Sequence, residues 1–193
     1  MLQMISKSVL LIGLSTALSG CLLTRNPDFN DAARDAATLF DDISAVPELE
    51  ADELPSSGEA RYVGIAALNY EERLDIGSEN NDYLADISFD VSFEEDGEVE
   101  GQISNVQSPD GAVGGTLDLQ DGEIFANGVN GDFVGELDDD GTSIFISMDV
   151  NSDFHGDGTG EPSGLLGTFS GEYESDTEEG DILGSFAAEF ERP

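Results

Sequence analysis

The sequence predicts an all-β protein: a single small antiparallel up-and-down β-barrel of about eight strands, preceded by a short N-terminal helix and a linker. Three observations point there. Residues 83–93 alternate, with Tyr83, Ala85, Ile87, Phe89, Val91 and Phe93 on one face and Leu84, Asp86, Ser88, Asp90 and Ser92 on the other, the period-two pattern of a strand buried on one side. Further runs of this kind recur down the chain, most of them broken by Gly, Asp or Asn turns. No helical period longer than one turn occurs after residue 59. Many short strands joined by tight turns make a meander, and closing it removes the exposed edges.

Composition narrows what such a barrel does. The 193 residues hold 43 Asp plus Glu against 6 Lys plus Arg, a formal charge of −37. Nucleic acid is excluded as a partner, because its phosphates need Lys and Arg, and so is docking on anionic headgroups by a basic patch. One Cys rules out an internal disulfide framework and any multi-Cys zinc site, and one His leaves little for a His-based centre.

Residues 1–20 contain no Asp or Glu, and Lys7 precedes an apolar run from Val9 to Leu18. That run is about half the roughly 20 residues needed to span a bilayer and reads as the core of a signal peptide. It ends in Leu18-Ser19-Gly20-Cys21, which looks like the lipobox of bacterial lipoproteins. Small residues before the cut suit a signal peptidase, the thiol of Cys21 accepts diacylglycerol, and cleavage frees its amine for a further acyl chain. Several chains anchor stably where one does not. Residues 1–20 are therefore expected to be a lipoprotein signal peptide and 21–58 a lipidated tether. Leu22, rather than Asp, follows Cys21, which favours the outer membrane over the inner one. Cleavage removes the only Lys, so every cation left is Arg.

In the tether, Asn26-Pro27 reads as a helix N-cap and first turn. Phe29, Ala32, Ala33, Ala36, Leu39, Phe40 and Ile43 then recur at three- and four-residue steps, an amphipathic helix of about 16 residues. Its polar face is acidic, so packing on the domain is favoured over lying on a membrane. Residues 47–58 are acidic and bounded by proline, expected to be an extended, self-repelling linker. From 59 to 193 come the strands of the barrel domain: 60–69, 83–93, a return through Val99 to Ile103, 114–120, 123–128, 131–137, 142–150, 165–174 and 181–191. The turns expected between them include Glu95-Asp96-Gly97, Gln120-Asp121-Gly122, Asn130-Gly131 and Asp138-Asp139-Asp140-Gly141. Gly64, Gly101, Gly135, Gly167, Gly171 and Gly184 interrupt strand runs. Glycine at strand centres fits the bends of a small barrel, with aromatics from neighbouring strands covering the gaps.

The run Gly167-Thr168-Phe169-Ser170-Gly171-Glu172-Tyr173 followed by Gly184-Ser185-Phe186 resembles the closing hairpin of the transferrin-binding protein-like lipoprotein barrels. Gly131-Asp132-Phe133-Val134-Gly135-Glu136 resembles an earlier copy, and residues 55–64 are similar to the family's first strand. The resemblance covers about residues 55 to 193. It departs where the family often has Phe-Tyr-Gly-Pro and a Glu-x-Gly-Gly turn, since here Tyr173 is followed by Glu174-Ser175 and the turn is Glu178-Glu179-Gly180-Asp181. The resemblance implies a surface lipoprotein that binds rather than catalyses. Family partners include host iron proteins, haem, complement regulators and polyanions, usually bound through an extra handle domain or long loops, whereas one barrel with short loops is expected here.

Candidate chemistry is sparse. Asp149-Val150-Asn151-Ser152-Asp153 begins like an EF-hand loop but has Phe154 where Gly belongs and Glu161 one place late. A looser Ca²⁺ site would draw on Asp149, Asn151, Asp153, Asp157 and Glu161, and the alternative is a solvated acidic loop. Gly156-Asp157-Gly158-Thr159-Gly160 lacks the Lys of a phosphate loop, and His155 beside it is a lone haem-ligand candidate. No nucleophile–base pair stands out. The expected function is a non-catalytic, lipid-anchored outer-membrane or surface lipoprotein. It has no cofactor, it is held on the membrane through Cys21, and its barrel acts as a binding or scaffold module for a protein, haem or another small ligand. The alternatives are a small transmembrane or periplasmic barrel, or a haem- or Ca²⁺-binding lipoprotein. Against a transmembrane barrel, few runs reach the about 9–11 residues of a spanning strand.

Overall fold

In the computed structural model, residues 29–70, 83–94, 97–157 and 162–192 are described. One helix, α1 (Phe29–Ser44), precedes nine strands: β1 (Glu59–Tyr70), β2 (Tyr83–Ser92), β3 (Val99–Ser108), β4 (Gly111–Ala112), β5 (Gly114–Phe125), β6 (Gly128–Asp139), β7 (Thr142–Gly156), β8 (Pro162–Ser175) and β9 (Glu179–Phe190). All pairings are antiparallel. β9 returns to β1 and β2 pairs with β3, so eight strands close into an up-and-down barrel, with the two-residue β4 as an addition beside β3. The expected fold class is the observed one. The expected start of the helix at Asn26-Pro27, and the Glu95-Asp96 part of the first hairpin turn, lie outside the described residues.

The lumen is filled by aromatic rings in three tiers. In the middle tier Phe89, Phe133, Phe169 and Phe186 form a closed cycle, with centroid separations of 5.9, 5.7, 5.1 and 5.2 Å. All four are buried. Three of them face glycine across the ladder: Phe89 opposite Gly101, Phe169 opposite Gly184, and Phe186 opposite Gly167. A Cβ on Gly167 would lie 2.4 Å from the Phe186 ring, closer than any packed contact. The glycine–x–aromatic repeats are thus volume complementarity written across strands. Gly64 serves differently: a Cβ there would lie 1.9 Å from the Ala187 carbonyl oxygen, so β1 and β9 approach by backbone.

Two expected turns are not turns. Residues 114–120 and 123–128 were expected as separate strands around Gln120-Asp121-Gly122, yet β5 runs continuously to Phe125 with a register shift between Gln120 and Glu123. Asp121 takes φ +51°. The extra residue of this bulge resets the alternation, so Leu117 and Ile124 both pack inward although one is odd-numbered and the other even. Asn130-Gly131 lies inside β6, and the hairpin instead turns at Ala126-Asn127. The turn at Asp140-Gly141 is as expected, with φ +50° and +84°.

α1 lies on the outside of the barrel. Ala32, Ala33 and Ala36 are buried against Ile65, Ala67 and Leu84, with Phe29 packed at the edge of that cluster. This explains Leu84, the one apolar residue on the polar face of β2: it points outward and the helix covers it. The helix therefore packs on the barrel through the stripe the sequence marks.

Residues 47–58, expected as an extended spacer, are instead fastened across one mouth of the barrel. Leu49 N–H donates to the Phe154 carbonyl at 2.8 Å, and Gly156 N–H donates to the Pro47 carbonyl at 2.9 Å. Asn127 Nδ2 donates to Glu48 Oε1 at 2.7 Å and to the Leu49 carbonyl at 3.1 Å. Leu49 is 2% exposed and joins the main core cluster with Tyr62, Phe93 and Phe154. One buried leucine and a few backbone bonds outweigh the repulsion among the strap's carboxylates, which water and salt screen.

Leu49→Ala is expected to destabilise the protein by about 2–4 kcal/mol, as for a leucine inside a core. Denaturant unfolding measures this, and an unchanged midpoint would show the strap to be a free tether.

Candidate functional site

The inward residues leave the lumen to packing rather than to chemistry. Beyond the middle tier, Tyr62, Phe93, Phe154 and Phe190 make ring contacts at the strap end, and the Tyr62 hydroxyl donates to the Pro162 carbonyl at 3.3 Å. At the opposite mouth Tyr70 packs on Tyr83 and Tyr173, the Tyr70 hydroxyl donates to the Tyr83 hydroxyl at 2.9 Å, and Tyr83 donates to Asp139 Oδ2 at 3.0 Å. Burial, Tyr70 and Asp139 all push the Tyr83 phenol far above its ordinary range, and burial alone does so for Tyr62. These phenols stay protonated and serve as donors that close the barrel ends.

The polar and charged side chains of the strands lie on the outer face, which the alternation makes acidic. Asp132 on β6 and Asp149 on β7 stand directly opposite each other. The Asp132 carboxyl is held above its usual range, first by a hydrogen bond with Asp149, then by desolvation and by the charges of Asp149 and Asp121. Near the strap end, Arg61 pairs with Asp90 at 2.6 Å and with Glu191 at 3.1 Å, in a cleft of about 520 Å³ that also takes in Glu59, Glu98 and Phe190. A second groove of about 450 Å³ crosses β7, β8 and β9 around Phe145, with Glu172, Glu174, Glu179 and Asp181 on its walls.

The Ca²⁺ candidates are placed as follows. Asp149, Asn151 and Asp153 lie within β7 rather than in a loop. They share its outer face at every second residue, about 7 Å apart along the strand, so the strand spreads them in a row instead of gathering them. Asp157 is exposed just beyond β7, and Glu161 lies outside the described residues, as do Gly158–Gly160 and Cys21. Among the described residues no group of three or more His, Cys, Asp or Glu is arranged to hold a metal ion. Asp153 is raised by desolvation and by Glu48, with His155 and Asn127 opposing. His155, expected in the glycine-rich loop, is a strand residue whose Nδ1 lies 2.8 Å from the Val46 carbonyl oxygen, and it helps fasten the strap. Most of the glycine run, Gly158–Gly160, lies outside the described residues, and the next described element is the strand β8.

Sequence reasoning missed Phe145 and Asn127. Phe145 carried a signal: it is the apolar exception among Ser143, Ser147 and Asp149 on the outer face of β7, as Leu84 is on β2. Asn127 carried none, because its role depends on a strap that is distant in sequence.

No protein-family model matches the chain, and no curated protein matches it. Solved structures of the vaccine antigen transferrin-binding protein B from Haemophilus parasuis do match. One singly substituted form is 21% identical with a TM-score of 0.47, covering 75% of this chain and 29% of its own. A doubly substituted form is 22% identical with a TM-score of 0.47, covering 76% of this chain and 28% of its own. The chain thus spans less than a third of the length of these neighbours.

The raised Asp132 gives a pH prediction. The folded chain binds this proton at higher pH than the unfolded chain, so stability from this site rises as pH falls through the interval between the two values and is flat below it. Asp132→Asn is expected to raise the melting temperature by about 2 °C at neutral pH, after allowance for solvent screening, with the difference closing near about pH 4. Paired thermal melts across that range measure it, and a constant difference would contradict the assignment.

Proposed function

We propose that this chain is a non-catalytic, lipid-anchored protein of the cell envelope, held in the outer membrane through acylated Cys21. Its barrel is a rigid acidic module that binds a partner protein on its outer surface. The observation that carries the reading is Leu18-Ser19-Gly20-Cys21 at the end of a short apolar run, with the chain's only Cys at the one position lipidation needs. The packed lumen supports binding on the outside, since both mouths are closed by core side chains and the interior is lined by rings and aliphatics.

Polarity rather than length speaks against the transmembrane alternative. The strands that form the barrel are 10–15 residues long, so the expectation of strands too short to span is corrected. A spanning barrel, however, needs an apolar band about 25 Å tall on its outer face. Here the outer face of β6–β9 carries Asp132, Glu136, Asp138, Asp149, Glu172, Glu174, Glu179 and Asp181 in ladder rows, and the apolar face points inward. No helix among the described residues is long and apolar enough to cross a membrane.

Cys21→Ala is expected to abolish incorporation of labelled palmitate and to move most of the protein from the membrane fraction to the soluble fraction. Palmitate label and membrane attachment that survive the substitution would overturn the anchor.

A further inference from the structure

We propose that the groove around Phe145 is a docking site for an extended, arginine-bearing segment of a partner protein, an inference that names the partner chemistry of the binding-module reading and rests on it. Phe145 is 49% exposed near the start of β7, one of two large hydrophobic side chains exposed among the described residues. Its ladder row runs Glu136–Phe145–Glu174–Glu179 across β6 to β9, and a neighbouring row places Glu172 opposite Asp181. Ser143 donates to Glu136 at the edge of this face. The ion pairs seen among the described residues are made by Arg34 on α1 and Arg61 near the strap end, and neither reaches the groove.

The arrangement has one chemical complement. Like charges directly opposite on a ladder destabilise it, so a cation laid between Glu174 and Glu179 or between Glu172 and Asp181 relieves repulsion already present. A guanidinium suits best, because its fork takes a carboxylate bidentately while its plane stacks on an exposed ring. Side chains on one face of an extended peptide recur about every 7 Å, the same interval that separates successive rows along β7. An anionic lipid surface, a nucleic acid or a second copy of this chain would each bring more negative charge to the same place.

The test is fluorescence anisotropy of a short labelled peptide alternating arginine and valine, titrated with the detergent-solubilised full chain in about 0.15 M NaCl. Phe145→Ser is expected to weaken binding about tenfold and the double change Glu174→Gln, Glu179→Gln about fivefold. Phe125→Ser, at the other exposed aromatic, and the double change Glu59→Gln, Glu98→Gln are expected to stay within about twofold. Circular dichroism checks that each variant is folded. Absence of binding by the natural chain, or equal weakening by both charge pairs, would overturn the site, the second outcome assigning the binding to net charge alone. Sedimentation of the same samples tests the other occupant: self-association lost in Phe145→Ser, with no effect on the peptide, overturns the proposal in favour of a second copy. The Cys21→Ala chain should bind the peptide unchanged, so failure of the anchor and failure of the groove are read separately.

Discussion

Four phenylalanines in a closed cycle hold this barrel together, and much else in the structure follows from making room for them. Phe89, Phe133, Phe169 and Phe186 come from β2, β6, β8 and β9, so the cycle ties opposite walls of the barrel through its centre. Rings this large fit a small barrel only if the facing positions carry no side chain, which is why Gly101, Gly167 and Gly184 stand opposite three of them. Glycine in a strand costs about 0.5–1 kcal/mol relative to alanine. A buried aromatic contributes several times that, so the exchange favours the fold.

Filling the centre with rings leaves the outer wall as the surface open to a partner. A barrel of this strand number either packs its interior or leaves space for one small ligand, and this one packs. Both ends are then sealed, by Leu49 and its strap on one side and by the Tyr70–Tyr83–Asp139 chain on the other. The charges are left on the outer wall, where α1 covers part of the surface and the rest is a field of carboxylates. Within that field the departures from plain solvation are local: the Asp132–Asp149 pair, the Arg61 cleft and the exposed ring of Phe145.

The fold class was legible because alternation and turn residues report strand and hairpin directly. The helix was legible because Ala32, Ala33, Ala36 and Ile43 keep a helical period. The errors have separate local and long-range causes. A β-bulge shifts the phase of alternation by one residue, and at Gln120–Glu123 that shift resembles a turn between two strands. The strap was misread because repulsion among acids is visible in composition, whereas the bonds from Asn127 and the pocket for Leu49 arise only once distant strands have assembled. The acidic run at 149–153 resembled a loop motif because its oxygen-bearing residues recur at every second position, a spacing that a metal-binding loop and the outer face of a strand have in common. Apolar residues on the otherwise polar faces have two outcomes: Leu84 is covered by α1, whereas Phe145 stands exposed.

The dependence of the fold on ring–glycine pairing is tested most directly by a double-mutant cycle between Gly167 and Phe186. Gly167→Ala places a methyl group 2.4 Å from the Phe186 ring and 2.7 Å from the Ser152 Cβ and is expected to cost about 1–3 kcal/mol by overpacking. In a Phe186→Leu background the ring contact is relieved while the Ser152 contact stays, so the same change should cost less, giving a coupling of at least about 1 kcal/mol in denaturant unfolding. Additive costs from the two substitutions would contradict the account and assign the crowding at Gly167 to Ser152 or to the backbone rather than to the ring.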